Sequence, residues 1–442
     1  MIHFKFERYV AYKGSNVEWL GDVPEHWNIS RIKEKGSVKA RVGWKALKAS
    51  EYVDDGFAFL STPNIKNKDI DFENVNCITY ERYVESPEIM LKEDDILLVK
   101  DGSTLGIVNI VTCLPRDTTV NSSIGVLRFD STVFNKYLFY QIVSKYIQDK
   151  IQLKKGGMGV PHLFQQDINN IFILIPPLPE QQSIAAYLDN KTTLIDRKID
   201  LLNQKATQYS QLKQSLINET VTSGLDKTVT MKDSGVEWIG EVPTHWDVMR
   251  GKDVFVQTKN KAGLESSSYD VLSLTLKGVI KRDLENMKGK IPASFDGYQI
   301  ANPDNLVLCL FDMDVTPRIV GYVDHLGIIT SAYTVIRGKY DTHLKYFYYY
   351  YLEQNRNGSL LANSKTLRST MTFDLFSQLR LPVPPSSEQK EIANYLNEKT
   401  AQIDCIVEMI NTQIEKLQEL RKTLINDVVT GKIKVVKEGQ AA

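Results

Sequence analysis

Two stretches of the chain carry apolar residues at a strict seven-residue spacing. In the first, Leu188, Ile195, Leu202, Tyr209 and Leu216 recur every seven positions, with Ala185, Thr192, Ile199 and Ala206 as companions. In the second, Leu396, Ile403, Ile410, Leu417 and Leu424 do the same, with Ala393, Thr400, Val407 and Ile414. An apolar repeat of 3.5 residues held over five heptads predicts a helical coiled-coil seam. Pro179 and Pro384-Pro385 stand where such helices start, and Gly224 and Gly431 where they end. At ~1.5 Å per residue each helix is a rod of roughly 60 Å. A narrow stripe of that length needs a partner. The two most simply pack on each other; packing on their own globular blocks, or dimerisation of the chain, are the alternatives.

The helices are part of a larger repetition. Glu18-Trp19-Leu20-Gly21-Asp22-Val23-Pro24-Glu25-His26-Trp27 returns in the second half as Glu237-Trp238-Ile239-Gly240-Glu241-Val242-Pro243-Thr244-His245-Trp246. Pro177-Leu178-Pro179-Glu180-Gln181-Gln182 returns as Pro385-Ser386-Ser387-Glu388-Gln389-Lys390, and the correspondence of Glu180 with Glu388 runs on at constant offset to the helix ends. The chain is thus motif, variable block, helix, written twice. The divisions are an arm at 1–27, a block at 28–178, a helix at 179–225, the second motif at 226–246, a block at 247–385 and a helix at 386–442.

The blocks share a pattern more than a sequence. Asp94-Asp95-Ile96-Leu97-Leu98-Val99 resembles Asp304-Asn305-Leu306-Val307-Leu308-Cys309, and 122–128 resembles 331–337. Residues 96–99, 107–111 and 171–175 read as strands, and 134–151 and 343–353 as helices. The second of these helices, aromatic from Tyr346 to Tyr351, reads as half core and half contact surface. The expected fold class is α+β: two similar globular domains separated by two long helices.

With 54 Lys+Arg and 54 Asp+Glu the formal net charge is zero, which excludes a tail-driven, histone-like nucleic-acid binder but leaves room for a local basic cleft. No apolar run is long enough to span a membrane. Four scattered cysteines without a CxxC pair argue against a zinc site or disulfide framework and make a reducing cytoplasm the default.

Loop clusters in both blocks carry the residue types that neutralise phosphates and read base edges. In the first block they are Lys39, Arg41, Trp44 and Lys45; Asn64, Lys66 and Lys68; Lys100 and Ser103; and Lys154 and Lys155 beside Gly156-Gly157-Met158-Gly159. In the second they are Gln257, Lys259, Asn260 and Lys261; Lys281 and Arg282; Arg318; and Asn363, Lys365 and Arg368. A lone surface lysine is more often a solvated charge, so each cluster is a candidate only. Trp19, Trp27, Trp238 and Trp246 read as anchors. His26 and His245 have no companion at metal spacing and read as structural. Asp101, Asp312 and Asp314 read as turn formers. There is no GxxxxGK[ST] phosphate loop, HExxH, GxSxG, nuclease carboxylate run or methyltransferase motif, so no catalytic site is expected.

The EWxGxxPxHW pair, with Glu180-Gln181-Gln182, Ile184-Ala185-Ala186-Tyr187-Leu188 and Pro385 to Leu396, resembles the specificity subunit of type I restriction–modification systems, over essentially the whole chain. That resemblance implies two target-recognition domains, each reading one half of a split, asymmetric sequence in double-stranded DNA. It implies that the long helices pair antiparallel, set the gap and dock two methylation subunits. S-adenosylmethionine, ATP and magnesium are then expected in those and in separate motor-nuclease subunits, with no cofactor in this chain. A stand-alone nuclease or methyltransferase, and a coiled-coil scaffold without a DNA role, are the competing classes.

Overall fold

Ile96-Leu97-Leu98-Val99 is apolar at every position, which suits a strand covered on both faces. The computed structural model describes residues 7–17, 20–41, 47–154, 161–284, 294–316, 318–362 and 369–435. It divides into one unit of Met1–Leu202 with Thr412–Ala442 and another of Asn203–Asn411.

In the first unit, Gly36–Lys39 (β1), Ile96–Val99 (β2), Val108–Ile110 (β3) and Ile124–Phe129 (β4) form an antiparallel sheet in the order β1-β4-β2-β3. Side chains alternate across a strand. Ile96 and Leu98 accordingly enter a core with Trp27, Tyr137 and Leu188, while Leu97 and Val99 enter another with Leu60 and Val120. The second layer is a three-stranded sheet of Asn76–Ile78, Phe57–Leu60 and Thr118–Val120.

The second unit repeats the first sheet. Phe255–Thr258 (β5), Leu306–Leu308 (β6), Val320–Tyr322 (β7) and Thr334–Gly338 (β8) lie in the order β5-β8-β6-β7, again antiparallel. Asp94 and Asp304, just before β2 and β6, both have φ in the left-handed region, at 69° and 66°. The resemblance between those two strings is therefore one of backbone as well as side chains. The outer layers differ: here a hairpin, Leu272–Thr275 with Gly278–Lys281, and a separate antiparallel pair, Gln299–Ala301 with Gly327–Ile329, replace the three-stranded sheet.

Two helical expectations change. Residues 134–151 form two helices, Asn135–Val143 and Lys145–Leu153. Between them Ser144 is extended, and its hydroxyl donates to the Gln141 carbonyl, a local bond that competes with helix continuation. The aromatic helix, Leu344–Arg356, is mostly core: Tyr346, Phe347, Tyr349, Tyr350 and Tyr351 are buried, and Tyr348 is half-buried beside a groove.

The heptad stretches are helices Leu178–Ser223 (α1) and Ser386–Val429 (α2), which pack together. Leu188 and Leu424 lie in the core of the first unit, and Leu396 and Ile217 in that of the second. Ile403 and Ile410 are buried; Ile195, Leu202, Tyr209, Leu216 and Leu417 are half-buried. Gly224 and Gly431 end the helices with φ of 74° and 73°, the left-handed conformation that favours glycine there.

Candidate nucleic-acid interface

Each sheet is fixed to a long helix by the repeated motifs acting on each other. Glu180, in the first turn of α1, accepts from the Trp27 indole at 3.1 Å and the Tyr9 hydroxyl at 2.5 Å, and pairs with His26 Nε2 at 2.8 Å. Glu388 of α2 likewise accepts from the Trp246 indole at 3.0 Å and pairs with His245 at 2.8 Å. A carboxylate at a helix N-terminus is itself favoured by the helix dipole. The next residue completes the joint. Gln181 accepts from the Phe134 amide and donates to the Pro176 carbonyl, and Gln389 does the same with His343 and Pro384. The His-Trp and Glu-Gln motifs are two halves of one clamp. Trp27 and Trp246 are fully buried in it; Trp238 is 38% exposed, and Trp19 lies outside the described residues. Burial, then the bond to Glu180, pushes the Tyr9 hydroxyl well above its usual pKa.

The clamped sheets present equivalent ends with different side chains. In the first unit Val38 lies opposite Leu127 across β1 and β4; in the second Gln257 lies opposite Ile336 across β5 and β8. Gly125 stands where Thr334 does, and Ala40 where Lys259 does. Past the central strand, the Leu163 amide donates to the Lys100 carbonyl at 2.8 Å, and the Met371 amide to the Leu310 carbonyl at 2.7 Å. Lys100 and Asp101 therefore correspond to Leu310 and Phe311, and His162 to Thr370. The first sheet end carries its polar groups past the central strand, where Asp101 contacts Lys100 at 3.2 Å and also His162. The second carries them on the edge strand, where Gln257 and Lys259 border a cleft of about 310 Å³ with Phe311 and Thr334.

The sequence candidates distribute unevenly over this frame. Lys39, Lys100 and Ser103 stand at or beside the first sheet end, and Gln257, Lys259 and Asn260 at the second. Lys261 follows them, exposed. Lys154 is 3.7 Å from Asp167. Lys66 and Lys68 lie elsewhere, paired with Asp71 at 3.0 Å and Asp200 at 3.0 Å. The Lys66 amine is raised by its bond to Asp71. Asn64 is buried, its amide donating to the Asn74 carbonyl and accepting from the Ser61 amide. Arg41 is also buried, 3.7 Å from Glu85, and desolvation lowers its pKa. Lys281 pairs with Asp270 on a hairpin that also leads to Arg282. Arg318 donates to the Tyr348 hydroxyl in a separate groove against α1 and α2. Trp44, Lys45, Lys155, Asn363, Lys365 and Arg368 lie outside the described residues.

Asp312 has φ of 47° in a turn, as expected, whereas Asp101 is an ion-pair partner. His162 and Phe311 are sheet-end residues that no sequence motif singled out. Their places depend on cross-strand register, and the only available signal was the weak likeness of the two blocks. Among the described residues no group of three or more His, Cys, Asp or Glu could hold a metal ion, and no helix is long and apolar enough to cross a membrane.

Comparison with known proteins agrees with this architecture. The family described as "Type I restriction modification DNA specificity domain" matches residues 24–208 and 313–416. The MjaVIII type I restriction enzyme specificity subunit of Methanocaldococcus jannaschii is 26% identical over 93% of this chain and 94% of its own. The EcoKI specificity subunit of Escherichia coli K12 is 20% identical over 93% and 90%. A chain solved in work on assembly and conformational transition of the type I R-M system superposes with a TM-score of 0.66 at 15% identity, covering 92% of this chain and 98% of that one. The HsdS subunit of Thermoanaerobacter tengcongensis gives 0.50 at 14% identity, covering 93% and 98%. With the family matched over more than half its length and the fold shared, the chain belongs to the type I restriction–modification specificity subunits, the non-catalytic DNA-recognition components of those systems.

Proposed function

We propose that this chain reads a bipartite, asymmetric target in double-stranded DNA, one half with each sheet end, and docks two methylation subunits and the motor-nuclease subunits. The recognition domains are residues 28–178 and 247–385. The observation that carries the reading is the pair of sheet ends: one frame, built twice, bearing different polar side chains. A frame shared by both halves supports the same mode of docking, and different side chains support different bases.

The long helices supply the docking surface for the methylation subunits. Leu201 and Leu212 of α1 are 56% and 53% exposed, and their counterparts in the repeat, Met409 and Leu420 of α2, are 53% and 44% exposed. Exposed apolar side chains recurring at equivalent places suit two copies of one partner. A cytoplasmic location follows from the DNA substrate and fits four free cysteines.

Block exchange tests the reading. Replacing residues 247–383 with the corresponding block of a relative, in a host that supplies the methylation subunits, changes one half of the methylated sequence. A change in both halves, or methylation independent of this chain, defeats it.

A further inference from the structure

Gln257 lies in β5 and Lys259 one residue past its end, two positions on, and both border the same cleft. At the equivalent positions the first unit has Val38, which is buried, and Ala40. Two polar side chains have thus replaced two apolar ones at a strand edge. Within the described residues, neither the Gln257 amide nor the Lys259 amine has a hydrogen-bond or ion-pair partner, whereas Lys66, Lys68, Lys100 and Lys281 are each paired with a carboxylate. An edge-strand glutamine with no side-chain partner among the described residues contributes nothing there to the fold that a smaller or apolar residue would not. The cleft beside it continues the polar surface through Thr334 and Asp374, over Phe311 stacked at 14° on Tyr333.

We infer that Gln257 and Lys259 are specificity determinants of the second half-site, Gln257 reading an adenine and Lys259 a guanine. The inference rests on the reading of the sheet ends as the DNA interface. A glutamine amide offers one donor and one acceptor side by side, which matches the adenine N7 and N6 edge; a lysine amine donates to guanine O6 and N7. Alternate strand residues are ~6.8 Å apart and base pairs ~3.4 Å, so the two side chains reach bases about two steps apart when the strand follows the groove. β5 is the edge strand of its four-stranded sheet, paired within it with β8 alone.

The test uses the chain assembled with its methylation subunits, with methylated positions mapped by sequencing. In Gln257→Ala, one adenine of the second half-site relaxes, losing roughly 5- to 150-fold discrimination, and the first half-site stays as it was. In Gln257→Glu, which only accepts hydrogen bonds, the same position shifts from adenine towards cytosine, whose N4 donates. Lys259→Ala relaxes a guanine in the same half. An unaltered second half-site in Gln257→Ala, or a loss spread evenly over all sequences, overturns the inference while leaving the broader reading standing. If Gln257→Ala abolishes methylation, Gln257→Glu decides: a cytosine at the former adenine sustains the inference, and retained adenine overturns it. If the wild-type assembly methylates without sequence preference, the broader reading itself fails.

Discussion

Arg421 of α2 donates to Asp196 of α1, its Nε 3.0 Å from the carboxylate, and this pair is repeated by Lys213 and Asp404 at 2.6 Å. Asp404 is the counterpart of Asp196 in the repeat, and Arg421 is the counterpart of Lys213. In both pairs the two residue numbers have the same sum, as antiparallel helices require. The centre of that register falls at Gln204 and Thr412, close to where the chain divides into its two units. Both pairs are partly exposed, so each contributes little to stability. A double-mutant cycle on Asp196→Ala and Arg421→Ala, read by urea unfolding, gives a coupling of about 0.2–1 kcal/mol. A coupling of several kcal/mol would show a desolvated pair and a tighter seam than the side-chain exposure indicates.

The clamp is where single substitutions cost most. Removing the carboxylate in Glu180→Ala leaves the buried Trp27 indole without its acceptor, costing about 1–3 kcal/mol. Glu388→Ala does the same to Trp246. In Trp27→Phe, donor and ring area go together, and the loss is larger. Chemical denaturation of the three variants orders them; wild-type stability in Glu180→Ala would remove the clamp from the account.

Gly431 and Gly224 differ from Gly240, another glycine of positive φ, in what a side chain would meet. A Cβ on Gly431 overlaps the Pro24 ring and lies 3.4 Å from Trp27; one on Gly224 lies 2.8 Å from Glu388 and 3.2 Å from Trp246. Gly240, with φ of 71°, faces open space. Gly240→Ala therefore costs only the left-handed penalty of about 1–2 kcal/mol, and Gly431→Ala costs more. Thermal unfolding of the two proteins makes the comparison, and equal losses would contradict it.

Burial dominates the titration of the tyrosines packed between sheet and helix. It pushes Tyr349, whose hydroxyl donates to Asn397 at 2.8 Å, up to about 12, and holds Tyr346 and Tyr137 well above their usual range. A folded-state pKa above the unfolded value of ~10 contributes stability that is complete below pH ~10 and is lost as pH rises through 12. Urea unfolding therefore shows a midpoint that falls above pH ~10, less steeply in Tyr349→Phe. A midpoint flat to pH 12 excludes the effect.

The repetition, the heptad seam and the strands around Ile96 and Ile171 were legible because each is a local pattern of side chains, and most of them occur twice. The break at Ser144 was not, because one serine hydroxyl decides it against a sequence whose apolar spacing continues. Nor was the clamp: His26 and Glu180 each look ordinary alone, and only the fold brings such distant positions together. At the candidate interface Gln257, Lys259 and Lys100 were picked out by residue type. Their correspondence with Val38, Ala40 and Leu310 was not, since it follows from which residue faces which across β4 and β8. Residue type alone also chose Asn64 and Arg41, whose polar groups turn inward.

The exposed apolar side chains of the helices separate docking from folding. Leu201→Ser with Leu212→Ser leaves the fold intact, because both side chains already lie more than half in solvent. The same change removes apolar area from the proposed contact with a methylation subunit, weakening assembly. Size-exclusion chromatography of the co-expressed subunits measures it. Full assembly by the quadruply substituted chain, with Met409→Ser and Leu420→Ser added, would place the docking surface elsewhere.

If the paired helices set the gap between half-sites, their length can change only in whole heptads and only in both together. One heptad inserted after Gln204 alone cannot keep Asp196 with Arg421 and Lys213 with Asp404, because those pairs lie on opposite sides of the insertion. Heptads inserted after both Gln204 and its counterpart Thr412 extend the seam at its centre and preserve both pairs. Each adds about 10 Å, close to three base pairs at ~3.4 Å. The double insertion therefore lengthens the gap in the methylated sequence by about three base pairs and leaves the bases of each half-site as they were. Inserting two residues at both places turns each apolar stripe by roughly 200° and breaks the pairing, so that assembly is lost. Sequencing the methylated sites of the double-heptad variant decides the matter: an active assembly with an unchanged gap means the helices hold the units together without measuring the distance between them.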